Sequence, residues 1–503
     1  TKTKCIITNV FLPYAVNVLK KDLFKCNFVS IMTDASNHNS QKIIPILVRY
    51  FLPDKGVKNN ILEFNELPGE TASLLTQYIS SILHEWGIES KVIAFSADNT
   101  NCNFGGVARN GKNNVFYKLK EIFNKDLIGV GCAAHILNNA VQTAADTLPI
   151  DVQVIIGKIF QHFYIYTVRV HALKEFCEFV NIEYKTVLGH SKTRWLSLFP
   201  ALTRLIDMFD GLKSYFLSID KCPTLIKNFF NNPLSYLILI FLQIQCELFF
   251  TCIKSVEAKD ISIIEVKHYV ESITKKIESR KNENFFTSKE REVLNSLRDE
   301  AVLSENIYIK YRNTFYDTCL EYIKEWSNPT LSKFDGITWI TLKNIDDDFN
   351  WVNIQATIEL IKNIIPNKNL INEAHLFDEF TMIKESVKHN VEHIQSLKTL
   401  SEKWTYIFKS MNNNSINGFF PNFKIIVEFI ICIPGSNANV ERIFSNMNNL
   451  WTDEKNKMEI KTVKAMLIVK TFFKETCTEF HDFLIGNQSL SILNILFLLA
   501  RLK

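Results

Sequence analysis

Glycine and proline are scarce here, with 15 and 12 in 503 residues. So few breakers exclude collagen-like and low-complexity architectures and favour long helices. The 11 cysteines are odd in number and scattered, and no two form a C-x-x-C pair. That excludes a disulfide framework and a zinc ribbon, and reads as a reduced intracellular pattern. The longest apolar runs, near Leu234–Leu242 and Leu490–Ala500, fall short of the roughly 20 residues a membrane span needs, so no membrane partner is expected. The chain opens at Thr1-Lys2-Thr3-Lys4, with no h-region of a signal peptide and no initiating Met, and reads as a fragment. Charge of one sign is also lacking: 57 Lys and Arg face 53 Asp and Glu, too slight an excess to argue nucleic-acid binding. No G-x-G-x-x-G, G-x-S-x-G, H-E-x-x-H or kinase signature occurs, and the glycines from Gly105 to Gly111 lack the ending of a P-loop.

What is present is apolar mass. Hydrophobic residues make up 47% of the chain, 39 of them Phe, enough for a large core in more than one unit. Strand-like runs appear at Phe28–Met32, Lys42–Phe51, Ile61–Leu67, Lys91–Ser96 and Leu127–Val130. Between them, Leu74, Leu75, Tyr78, Ile79, Ile82 and Leu83 share one helical face, a helical stretch runs near 114–123, and another helix starts at Ala133. The order β-β-β-α-β-α-β-α matches a ribonuclease H-like mixed sheet, in which the first strand lies beside the fourth. Beyond Val152 the pattern is almost wholly helical, as in Leu202–Phe216, Ser235–Cys252, Ile264–Ile277 and Trp351–Ile365. The charged stretch Glu271–Glu300 reads as a solvated face or linker. The fold class expected is therefore α/β plus all-α, a mixed sheet interrupted by a large helical insertion. The divisions are a linker at 1–27, the first part of the core at 28–196, the insertion at 197–420, the end of the core at 421–480, and an apolar tail at 481–503.

Asp34 and Asp98 each stand just past the C-terminal end of a strand. On neighbouring strands they meet at one sheet edge, where open α/β folds bind ligands. Facing carboxylates repel unless a cation lies between them, so such a pair points to divalent metal. Two Mg²⁺ ions about 4 Å apart can activate an attacking oxygen and stabilise a leaving one in phosphodiester cleavage. Either aspartate alone is as readily a turn-former or helix cap. The best third acid is Glu441, in Pro434-Gly435-Ser436-Asn437-Ala438-Asn439-Val440-Glu441-Arg442-Ile443-Phe444-Ser445. Ser436 is a fair N-cap, and Val440, Ile443, Phe444, Met447, Leu450 and Trp451 form one apolar stripe with Glu441 at its edge. A surface salt bridge is the plain alternative for this glutamate.

Cys132 and His135 form a C-x-x-H at a helix start. With no second pair nearby, no zinc is expected, and the two residues read as a lock on the strand–helix junction. Arg194-Trp195 joins a guanidinium to a large aromatic, a pair able to clamp phosphate and stack on a base; a lone Trp is otherwise most often core.

Taken in order, Thr33-Asp34-Ala35-Ser36, Ser96-Ala97-Asp98-Asn99, Cys132-x-x-His135, Thr193-Arg194-Trp195 and Ser436–Ser445 resemble the hAT superfamily of DNA transposases. The resemblance implies a ribonuclease H-like core interrupted by a helical insertion. It implies that Asp34, Asp98 and Glu441 are a metal-binding triad, using Mg²⁺ or Mn²⁺ in a two-metal site for DNA nicking, hairpin formation and strand transfer. Arg194 and Trp195 would handle distorted DNA. The segment from Pro434 to about Phe473 would be the C-terminal dimerisation region, with Val440, Ile443, Phe444, Met447, Met466 and Leu467 packing on the core or on a partner. The implied partners are transposon-end and target DNA and a homodimer or higher homo-oligomer, in the nucleus. The family's N-terminal zinc-binding finger has no counterpart before Phe28. The rival reading is a catalytically silent, domesticated transposase acting as a dimerising nuclear DNA- or protein-binding factor. A DEDD exonuclease needs an acid at the second position after Asp34, where Ser36 stands.

Overall fold

The structure, a computed structural model, describes residues 2–189, 197–300, 304–365, 370–414, 420–452, 458–473 and 476–486. It is a mixed α/β protein, mostly helical, with one six-stranded sheet. The strands are β1 (Val29–Thr33), β2 (Ser36–His38), β3 (Gln41–Leu52), β4 (Gly56–Leu67), β5 (Val92–Ala97) and β6 (Ile128–Gly131). β3 lies between β4 and β1, antiparallel to both, while β5 and β6 continue from β1 in parallel. The sheet order is thus β4-β3-β1-β5-β6, with β2 pairing the start of β3.

β3 reads as an unbroken apolar run because both of its faces are covered. Ile44, Ile46, Val48 and Tyr50 pack with Leu75, Ile79 and Leu83 of the Ala72–Trp86 helix and with Val115 and Leu119 of the Val115–Phe123 helix. On the other face, Met32, Ile43, Leu47, Ile61 and Phe64 pack with the Ala438–Leu450 and Ile460–Phe472 helices. The Ala72–Trp86 helix is set by its ends. Thr71 accepts from the Leu74 N–H at 3.3 Å, and Gly87 closes it at φ 66°, where a side chain is strained.

The chain divides into two compact units: residues 1–132, 258–266 and 329–503 form the first, and 133–257 and 267–328 the second. This differs from the sequence reading. The division falls at Cys132 rather than 196, and residues 329–420 belong with the sheet. Within the stretch read as a linker at 1–27, residues 2–25 are helical, and the Leu12–Lys25 helix buries Ala15, Leu19 and Leu23 in the core. The short strand β2 was not expected, since Ser36-Asn37-His38 carries no apolar alternation.

In the second unit, Leu202–Phe216 is two helices, Leu198–Asp207 and Phe209–Ser218, rather than one. The Leu234–Val256 helix runs past the apolar stretch seen in the sequence, to 23 residues with a mean hydropathy of 1.9, and by length and composition could cross a membrane. It is instead the core helix of its unit: Leu237 to Leu242 are all buried, and Gln245 accepts from Arg280 Nη1 at 2.8 Å. The charged stretch 271–300 is helical for most of its length, and buries Glu290 against Arg312 and Tyr308.

Candidate functional site

β1 and β5 run parallel, with Met32 beside Ser96. Asp34 and Asp98 are each the first residue past the end of their strand, on the same edge of this parallel pair. β1 stops here for a local reason. Between the paired positions Thr33–Ile46 and Ser36–Ile43, β3 presents Pro45, which has no N–H to give the ladder. The Thr33 hydroxyl donates to the Pro45 carbonyl at 2.8 Å, and the chain turns at Asp34.

Each aspartate is fixed. Asp34 Oδ1 accepts from the Ala35 N–H at 2.8 Å. Asp98 Oδ1 accepts from the Asn103 carboxamide and from the Thr100 hydroxyl at 3.0 Å. The loop after β5 is held to the end of β6, where the Cys132 N–H donates to the Ala97 carbonyl at 3.1 Å and Asn99 Nδ2 donates to the Cys132 carbonyl at 3.1 Å. Asn99 lies so close over Gly131 that an added Cβ would stand 1.8 Å from its Oδ1. A side chain at 131 would displace Asn99.

Glu441 arrives from 343 residues further along the chain than Asp98, on the first turn of the Ala438–Leu450 helix. That helix is not capped by Ser436, as its sequence suggested. Asn437 is the cap residue, and its side chain reaches out of the helix, Nδ2 donating to the Thr33 carbonyl at 2.9 Å. One bond therefore ties the Glu441 helix to the residue before Asp34.

The electrostatics follow from this crowding. Burial pushes the Asp34 carboxyl well above its ordinary value, and the Asp98 and Glu441 carboxylates push it further; the Ala35 N–H opposes them. Glu441 is also raised, first by burial and then by Asp98, while its hydrogen bond with Asp34 pulls it down. Both carboxyls are thus harder to ionise than in water, Asp34 the more strongly. The structure thus brings all three acids into one electrostatic cluster, two of them in direct contact.

The donors are hard oxygens, the kind Mg²⁺ and Mn²⁺ take. Asn99 and Asn437 add two buried side-chain oxygens, each without a hydrogen-bond partner, on residues tied to the Asp98 and Asp34 loops. Chemically the set fits a divalent cation. Geometrically, no group of three or more His, Cys, Asp or Glu among the described residues is arranged to hold one.

The other expected residues fall as follows. Cys132 is buried at the β6 end, and His135 is half-buried on the first turn of the next helix. Arg194 and Trp195 lie outside the described residues. Val440, Ile443, Phe444, Met447 and Leu467 are buried against the sheet, and Met466 is half-buried. Of the two roles their stripe allowed, the structure gives them packing on the core. The sequence reading assigned Asn99 and Asn437 no role beyond their motifs and left Asn103 out, although the asparagine-rich run after Asp98 was a visible sign.

Fold and site together define a mixed α/β protein with a carboxylate cluster at the end of a parallel strand pair. One stretch is more particular: residues 412–473 match the hAT family C-terminal dimerisation region. That stretch contains Glu441, and its likeness to a dimerisation region of hAT transposases supports homo-oligomerisation.

Proposed function

We propose that the chain cuts and transfers DNA strands in the hAT manner, with the sheet as a ribonuclease H-like core and Asp34, Asp98 and Glu441 as its acidic triad. The observation that carries this reading is the meeting of carboxyls from residues 34, 98 and 441 at one strand edge, where Asp34 and Glu441 ionise at a cost in electrostatic energy. The strand order supports it, since an antiparallel β1-β3-β4 meander extended in parallel by β5 and β6 suits a ribonuclease H-like sheet. Asp34, Asp98 and Glu441 would hold Mg²⁺ or Mn²⁺. Bound there, the cations supply charge neutralisation at the scissile phosphate and activation of the attacking oxygen. The chain's own part is to hold these oxygens in register: Asn103 and Thr100 orient Asp98, the Ala35 N–H orients Asp34, and Asn437 sets the Glu441 helix. Arg194 and Trp195 would contact the DNA, and the working form is a nuclear homodimer or higher oligomer on transposon-end and target DNA.

The silent, dimerising factor is the second reading. It is favoured by the lack of a ready three-donor set among the described residues. Nicking of a hairpin-prone DNA duplex in Mg²⁺ or Mn²⁺ separates the two. The parent chain should nick, and Asp98→Asn should be slower by about 100-fold or more. Equal rates would sink the catalytic reading. Retarded but uncut DNA with both proteins would establish the silent one.

A further inference from the structure

The residues 258–266 interrupt the second unit and belong to the first, so the chain leaves the helical unit, touches the sheet unit and returns. What they touch is the turn that launches the Glu441 helix. Ser262 pairs with Pro434 as an isolated antiparallel bridge, and the Gly435 N–H donates to the Ile261 carbonyl at 3.3 Å. Gly435 is pressed so closely that an added Cβ would stand 2.5 Å from Val266 Cγ2 and 2.6 Å from the Ser262 carbonyl oxygen. Two residues later, Asn437 bonds to Thr33, and four after that comes Glu441.

The segment is itself anchored to the sheet. Arg49 on β3, 1% exposed, donates from Nη2 to the Asp260 carbonyl at 3.0 Å and from Nε to the Ile431 carbonyl at 3.1 Å. One buried guanidinium thus grips both the segment and the chain leading to Pro434. Asn59 on β4 donates to Asp260 Oδ1 at 2.6 Å. At the other end, Ser262 and Glu265 form a reciprocal cap: the Ser262 N–H donates to Glu265 Oε2 at 2.9 Å and the Glu265 N–H to Ser262 Oγ at 3.3 Å. The bridge is rigid on both sides.

The geometry assigns residues 258–266 a positioning role: through Ser262 and Gly435 they set where Glu441 stands relative to Asp34 and Asp98, so that cation binding depends on a segment that makes no contact with the cation. This rests on the reading of the three acids as a cation site. Groups that orient metal ligands from behind commonly change affinity by about 10–100-fold when altered. None of Arg49, Asn59, Ser262 or Gly435 carries a ligand, so their effect is on placement.

The test uses the full chain and Mn²⁺ itself, with binding followed by electron paramagnetic resonance and hydrogen–deuterium exchange read over Asn439–Phe444. Gly435→Ala should weaken Mn²⁺ binding about 10-fold or more and speed exchange in the first turn of the Glu441 helix. Asn59→Ala, which frees only Asp260, should act in the same direction and more weakly. Gly69→Ala, where an added methyl meets nothing within 4 Å, is the control and should do neither. A folded Gly435→Ala chain with unchanged exchange across Asn439–Phe444, or with Mn²⁺ affinity within twofold of the parent, overturns the proposal. Should Gly435→Ala not fold, Asn59→Ala decides by the same two readouts. A parent that binds no Mn²⁺ defeats the reading of the acids instead, and the exchange result then decides whether the segment places the helix.

Discussion

A carboxyl held beside two others is destabilised by its own ionisation, and Asp34 shows the consequence most strongly. Its folded value lies well above the ordinary 3.8 because of burial, Asp98 and Glu441. A group raised in the folded state contributes stability that is complete below its unfolded value and lost as pH rises through the folded one. Asp34→Asn keeps the shape and removes that loss. The variant should therefore be more stable than the parent in urea with a chelator present, by a margin that widens from pH 4 to pH 8. A margin independent of pH would mean that the three acids do not interact as placed. The residues themselves were legible in the sequence, because an acid just past an apolar strand stands out. Their supports were not. Asn437 and Ser436 are equally good caps by type, and only the third dimension shows that Asn437 spends its side chain on Thr33.

At the scale of elements, β1, β3, β4, β5 and β6 could be found because burial on both faces demands runs of Val, Ile and Phe. β3, read at Lys42–Phe51, spans Gln41–Leu52. Register could not be found, since the pairing of Met32 with Ser96 depends on contacts 64 residues apart along the chain. Pro45 was the exception, a visible sign that the ladder breaks beside Asp34. The apolar stripe of the Ala438–Leu450 helix was legible too, but its destination was open. Phe444 is 6% exposed and packs in the cluster that includes Met32 and Phe64. Phe444→Ala should thus cost about 3–5 kcal/mol of folding stability, seen as a lower urea midpoint at every protein concentration. A variant that kept the parent's midpoint and only dissociated faster would place Phe444 at a subunit interface instead.

At the scale of the molecule, the low glycine and proline content is accounted for by helices in both units, since the described residues between 329 and 414 are mostly helical and yet belong with the sheet. The sequence could not give the unit boundary at Cys132, because the helix from Ala133 follows its strand without any linker-like composition. Replacing residues 133–328 by a short linker should leave a sheet unit that fails to fold, because Arg49 would lose Asp260 and Gly435 the Ile261 carbonyl. Circular dichroism and limited proteolysis would read this directly. A compact, protease-resistant product would show that the sheet unit does without residues 258–266.

That double passage through residues 258–266 has a consequence for how such proteins can be recombined. A module joined to its host at one point can be exchanged with two cuts, and its neighbours do not notice. Here the helical unit is stitched in twice, and the stitch lies behind the helix that carries Glu441. A transplant that cuts only at 132 and 329 would bring a foreign 258–266 stretch to Pro434 and Gly435, and succeed only if it fitted them. Replacement of the helical unit and retention of the acidic cluster are therefore one design problem.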